Sequence, residues 1–241
     1  MQSITRSFGL LWDALFLQRK AYAHMRDDDN PFVEGLFILV LLGVLLAVAG
    51  MIGSTLEWAS SPNLNAVRDV VLNNLQSMPW YQQMQQAPGA ESSFLQVWNG
   101  IWSAVAAMAP SPVRSLTGII TRPLALILWW LVFALLAYVF ARLFGGKGTL
   151  NQTLGATALA AAPQLVTLVT VLPFVTIASL GTWTLLCSYM ALRTVHDLSW
   201  PRAVFAALLP PVIVGLVVGL IVAAVLAVGI ALAVASFTGG M

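Results

Sequence analysis

Charge is what this sequence has least of. Asp, Glu, Lys and Arg make up 8% of its 241 residues, eleven basic against nine acidic, for a formal net charge of +2. Soluble domains carry about 25% charged residues, so a water-soluble globule of this length is excluded. A basic face for nucleic acid is excluded with it. The single cysteine, Cys187, leaves no intrachain disulfide and no cysteine-built metal site. The two histidines, His24 and His196, lie far apart and form no ligand spacing. No ionisable residue sits in the middle of an apolar run, no HExxH pair occurs, and no serine in one run has a histidine in another. Intramembrane chemistry requires such groups. These absences predict a protein that is not an enzyme, with no catalytic residue, no metal and no cofactor.

What the sequence holds instead is hydrophobic residues, 59% of the total, gathered into long runs. That pattern predicts an all-α, polytopic membrane protein. Residues 3–24 place Ile4, Phe8, Leu11, Trp12 and Leu15 near helical spacing. Arg6, Asp13, Arg19 and Lys20 interrupt the stretch, so it is not a signal peptide. It predicts an amphipathic helix, lying on the bilayer surface or packed on the protein's own end. The turn MRDDDNPF follows, and its three aspartates suit a solvated turn better than a metal site.

The first span is expected at about 32–56, with Gly43, Ala47 and Gly50 on an edge that lets another helix approach. Residues 57–122 form the one large polar segment, an outer loop with two amphipathic helices. One carries Leu64, Val67, Val71, Leu75 and Met78 on a single face. The other carries Phe94, Trp98, Ile101, Trp102, Val105 and Met108, and PWYQQMQQAPGAESS between them is turn-like. Pro123 suits the first turn of a second span, 123–144, in which Trp129 and Trp130 are packing groups. Residues 148–192 carry no charge. As one helix they would measure roughly 67 Å against a hydrocarbon core of about 30 Å. Two spans are therefore expected, 150–172 and 174–192, reversing at Leu172, Pro173 and Phe174. After the connection RTVHDLSWPRA, Pro210 and Pro211 divide the last apolar stretch into a short helix and a fifth span, 212–237. There Gly215, Gly219, Ala223 and Ala227 recur every four residues. This small-residue ridge predicts close helix contact, internal by default, with a partner chain as the alternative.

The expected architecture is thus a five-transmembrane-helix bundle with amphipathic interfacial helices. Residues 1–31 form an N-terminal segment and residues 32–241 the membrane domain. A cytoplasmic N-terminus places Arg6, Arg19, Lys20, Arg26, Arg142, Lys147, Arg193 and Arg202 inside. Only Arg68, Arg114 and Arg122 remain outside, as the positive-inside rule requires. The C-terminus then lies outside, and the GGKGT turn shares the cytoplasmic side with the loop around His196. In that turn Gly145, Gly146 and Gly148 permit a hairpin reversal and Lys147 fixes its side. GGKGT lacks the GxxxxGK[ST] spacing of a phosphate loop. Within the spans, Pro163 frees a backbone carbonyl and kinks the helix beside Gln164. Pro163, Gln164 and Thr167 are therefore a candidate polar pocket or pathway, with Thr170, Thr176, Thr182, Thr184 and Ser188 nearby in sequence. Interhelical hydrogen bonding is the alternative use of these groups.

Three stretches, GGKGTLNQTLGATALAAAP, ALRTVHDLSWPRAVFAALLP and the lead-in DDDNPFVEGLF, resemble the Yip1-domain family. The resemblance covers roughly residues 30–235 and is best across 140–215. It implies a five-helix membrane bundle with a cytoplasmic N-terminus. Eukaryotic members look like trafficking factors that bind small prenylated GTPases and one another, while bacterial members generally have no assigned activity. This chain lacks the long N-terminal region of the eukaryotic proteins and looks bacterial, which implies the inner membrane. The expected function is a non-enzymatic scaffold or accessory subunit, in contact with membrane lipids and with other membrane proteins or a second copy. The alternative is a permease or transport-accessory subunit with its pathway near Pro163 and Gln164.

Overall fold

A computed structural model describes residues 2–109, 112–172, 175 and 177–238. The chain is all-α: no strand occurs among the described residues. The helices are α1 (Gln2–Leu15), α2 (Arg19–Asp27), α3 (Pro31–Ser60), α4 (Leu64–Gln76), α5 (Pro79–Gln85) and α6 (Ala90–Met108). They continue with α7 (Pro112–Leu143), α8 (Leu150–Ala158), a 3₁₀ helix (Leu159–Val171), α9 (Leu180–His196) and α10 (Trp200–Thr238). The described residues of Met1–Leu46, Thr121–Thr167 and Ile177–Met241 form one compact unit, and those of Ala47–Ile120 and Leu168–Thr176 a second.

Three helical stretches are long and apolar enough to cross a membrane: Pro31–Ser60, Leu116–Leu143 and Trp200–Ala231. The segments expected as third and fourth spans are built differently. Residues 150–171 make nine residues of α-helix and then thirteen of 3₁₀ helix. Pro163 has no N–H for the carbonyl of Leu159 and its ring crowds that carbonyl, so the α ladder ends there and the tighter i→i+3 pattern takes over. The expected kink is thus a change of helix type. α9 has 17 residues and begins six residues later than expected at 174. The reversal at Pro173 and Phe174, and Thr176, lie outside the described residues, as do the side chains of Thr170 and Arg114.

Two further boundaries differ because proline is tolerated inside these helices. Pro123 lies within α7, not at its start, because its ring is received by a glycine. A Cβ on Gly43 would stand 2.8 Å from the Pro123 Cα. Beside it, Arg122 Nη1 donates to the Leu46 carbonyl of α3 at 3.2 Å. Pro210 and Pro211 lie inside α10 without dividing it. Each removes one i→i−4 bond, and the helix continues through both.

The N-terminal helices pack on the protein itself. Leu11, Ala14, Leu15, Tyr22 and Met25 join Ile38, Leu159, Cys187 and Ala191 in one buried cluster. Side chains bond the C-terminal carbonyls of α1, where helical N–H partners run out, although the Ala14 carbonyl also accepts from Leu17 N at 2.9 Å. Tyr22 Oη donates to the Ala14 carbonyl at 3.1 Å and Trp183 Nε1 to the Leu15 carbonyl at 2.8 Å. Leu17, at φ 58°, turns the chain from α1 into α2. The opposite stripe of α1, Ile4, Phe8, Trp12 and Phe16, stays exposed. The expected single apolar face is therefore split between the core and the outside.

In the second unit, the stretch expected to be turn-like forms α5, opened by Pro79 at its first turn. Tyr81 is buried there, and Trp80, Tyr81, Phe94, Trp98 and Trp102 make a chain of ring contacts 5.4 to 6.2 Å apart. Neither α4 nor α6 buries a residue.

Candidate functional site

The glycine turn and the His196 loop meet. α7 ends in a Schellman arrangement: Gly146 N donates to Ala141 O at 2.8 Å and Gly145 N to Arg142 O at 3.0 Å. Gly145 carries the positive φ, +87°, that this ending requires. Gly146 and Gly148 serve a different purpose, which is room. A Cβ on Gly146 would come within 2.7 Å of His196 Nδ1, and one on Gly148 within 2.5 Å of Val195 Cγ1. Lys147 N donates to the His196 carbonyl at 3.2 Å. The Lys147 side chain pairs with Asp197 at 3.8 Å, both strongly exposed, and so adds little stability.

His196 is fully buried at the centre of this turn. The Thr153 hydroxyl donates its one proton to the Thr149 carbonyl at 2.7 Å, and so accepts from His196 Nε2 at 2.9 Å. That leaves Nδ1 an acceptor, buried and without a partner. Burial first, and the positive charge of Arg142 second, push the imidazole down to about 4. The ring is held neutral and serves as a spacer between α7, α8 and α9.

The start of α8 also fastens the N-terminal turn. Thr149 and Gln152 form a capping box, and Gln152 Nε2 reaches on to the Arg26 carbonyl at 2.9 Å. Asn151 Oδ1 accepts from Phe32 N at 3.0 Å, satisfying one of the open amides at the head of α3. Around that head, Arg6 contacts His24, pairs with Asp28 at 3.3 Å and reaches Glu34 at 3.5 Å. The Asn30 amide holds the Asp28 carboxyl below the usual carboxylate range. His24, Asp28 and Glu34 offer atoms within 4.8 Å of one another, but the guanidinium of Arg6 already supplies the positive charge among them. Of the three aspartates, Asp28 alone joins this cluster.

The candidate pocket residues separate. Gln164 lines a cavity of about 320 Å³ with Trp129, Trp130, Phe133, Thr184 and Ser188. Pro163 is buried outside that lining, and the Thr167 hydroxyl donates to the Gln164 carbonyl at 2.6 Å. Trp130 is a packing group, stacked on Phe32 with its Nε1 donating to Leu154 O at 3.1 Å. Trp129 is half exposed beside the cavity. Among the described residues the ridge on α10 has no internal partner. Gly215, Gly219, Ala223 and Ala227 are all exposed, and a Cβ on either glycine would meet nothing within 4 Å. The default of an internal contact is not realised among the described residues, because α9 covers only the start of α10, at Ala203, Ala206 and Ala207.

Sequence reasoning missed Thr153, Asn151 and Gln152 as fastening residues. The spacing Thr-x-x-Gln at 149–152 is a capping-box signal and was there to be read. No signal marked Thr153 as the partner of a histidine 43 residues away.

No curated protein and no solved structure matches the chain. A family model described as the Yip1 domain matches residues 12–223, and the chain belongs to the Yip1 domain family of membrane proteins.

Proposed function

We propose that the protein is a non-enzymatic scaffold or accessory subunit of a bacterial inner membrane, docking other membrane helices on α10. The observation that carries this reading is the uncovered length of α10: residues 215–231 are exposed on every face and carry small residues at four-residue spacing. Small-residue stripes let helix backbones approach closely, and packing rather than hydrophobicity drives association in lipid. In this reading the chain crosses five times, with N-terminus inside and C-terminus outside. α8 with its 3₁₀ continuation has a rise of roughly 40 Å, sufficient for a third crossing. The exposed apolar stripe of α1 then rests on the inner surface.

Purification in mild detergent, followed by size analysis and mass spectrometry, tests it. The chain should migrate with a second copy or another membrane protein, and Gly219→Leu should weaken that association at least tenfold without unfolding the chain. A monodisperse lone monomer sinks the reading. A permease or transport-accessory role is a second reading, favoured by the cavity beside Gln164. Efflux or uptake measured in vesicles with and without the chain would test it, and equal rates would refute it.

A further inference from the structure

The wall of the cavity beside Gln164 suits a bound guest as well as a pathway. It lies against residues 126–133 of α7 and residues 180–188 of α9, at the level of a helix able to cross a membrane. Its wall is Trp, Phe, Leu, Ala, Gly and Pro, with Gln164, Thr157, Thr184 and Ser188 as the polar members and no ionisable side chain. Two of these four are already occupied. Thr157 Oγ1 donates to the Thr153 carbonyl at 2.6 Å, and Ser188 Oγ to the Thr184 carbonyl at 2.8 Å. The Gln164 side-chain amide and the Thr184 hydroxyl make no hydrogen bond among the described residues.

Gln164 and Thr184 are half-buried in the cavity wall, so their amide and hydroxyl are open to a guest carrying a polar atom. A cavity of about 320 Å³ is in the size range of small-molecule sites, and a helix of about 10 Å diameter does not fit it. The absence of ionisable groups from the wall disfavours a charged headgroup, whose burial without a partner is prohibitive. We infer that the cavity binds an uncharged lipid: its hydrocarbon lies against Trp129, Trp130 and Phe133, and one carbonyl or hydroxyl oxygen bonds with Gln164 and Thr184. This requires neither transport nor a partner on α10.

Gly181 supplies the test. It lines the cavity, and a Cβ there would meet nothing within 4 Å, so a large side chain at 181 can fill the space without striking backbone. The full chain in phospholipid nanodiscs is photolabelled with a monoacylglycerol bearing a diazirine in its acyl chain, and the adducts are mapped by peptide mass spectrometry. Labels should concentrate on residues 126–133 and 180–188. Unlabelled diacylglycerol should compete, and excess phosphatidylcholine or ionised fatty acid should not. Gly181→Phe should reduce labelling at these residues about tenfold, with Leu185→Phe as a second filling variant should the first misfold. Gln164→Leu should reduce monoacylglycerol labelling several-fold while leaving a purely hydrocarbon diazirine unaffected. Equal labelling in a folded filling variant, adducts spread evenly along the exposed face of α10, or equal competition by phosphatidylcholine would overturn the inference.

Discussion

Gly155→Ala is the substitution whose effect the packing determines most directly. A Cβ at this position would stand 2.5 Å from both the Cβ and the carbonyl oxygen of Pro31, and 2.7 Å from its carbonyl carbon. Carbon atoms in good contact lie about 3.5–4.0 Å apart, so α8 must retreat from the head of α3 by about 1 Å. Pro31 is fixed by its ring and by the helix it opens, so no rotamer change relieves the clash. Overpacking of this kind costs typically 1–3 kcal/mol. The retreat also stretches the 3.0 Å bond from Phe32 N to Asn151 past hydrogen-bond range, a further loss of about 1 kcal/mol. Against these stands the gain of about 0.5–1 kcal/mol when alanine replaces glycine inside a helix. The net expectation is a loss of about 2 kcal/mol, or about 4–8 °C in melting temperature for a chain of this size.

The chain carries its own reporter. Its one cysteine, Cys187, is fully buried in the same core cluster as Ala156 and Leu159. A thiol-reactive fluorogenic dye therefore reads the unfolding of this unit as the temperature rises. Gly229→Ala, off the four-residue ridge of α10, is the matched control, since a Cβ there meets nothing, and it should leave the melting temperature unchanged or slightly raised. Equal melting of Gly155→Ala and Gly229→Ala would refute the close approach of α8 to α3.

The same reading applied across pH addresses His196. Its imidazole titrates at about 4 in the folded chain and at about 6.5 when free, so the unfolded state takes up the proton first as pH falls. Stability should be full above pH about 6.5, decline between about 6.5 and 4, and end up to about 3 kcal/mol lower, less whatever solvent screening removes. His196→Gln should flatten this slope, and an unchanged slope would show that the ring is not held neutral by its surroundings. Asn151→Ala should cost about 1 kcal/mol through the lost helix-head bond, seen as faster hydrogen exchange at the amide of Phe32. Exchange there at the parental rate would show that Asn151 does not hold that amide.

The long apolar runs declared α3, α7 and α10 because a charge-free stretch longer than the bilayer is thick admits few alternatives. The lengths were harder. Proline rules for soluble helices placed boundaries at Pro123 and at Pro210, whereas Gly43 makes space for the Pro123 ring and α10 runs through Pro210 and Pro211. Nothing in the local sequence of Pro123 names Gly43, 80 positions away, as its neighbour. Pro79 was misjudged the other way: it sits in a Gln-rich stretch that looked like a turn, yet it starts α5. For the site, counting spans placed the glycine turn beside the His196 loop, and the structure brings them into hydrogen-bond contact. The division of labour among the glycines was not legible. Conformation explains Gly145, but the need for Gly146 and Gly148 arises from the side chains of His196 and Val195, far along the chain.

The bond from Asn151 to the head of α3 spans 119 residues, and this has a consequence for the order in which the protein is made. Chains emerge from the ribosome at ~5–20 residues per second, so α3 spends on the order of ten seconds in existence before Asn151 has been synthesised. Over the same interval the carbonyls of Ala14 and Leu15 wait still longer for Cys187 and Trp183. The amino-terminal part of the molecule, α1 to α3, is thus finished from behind: its helices are held provisionally, and their last partners arrive only with α8 and α9.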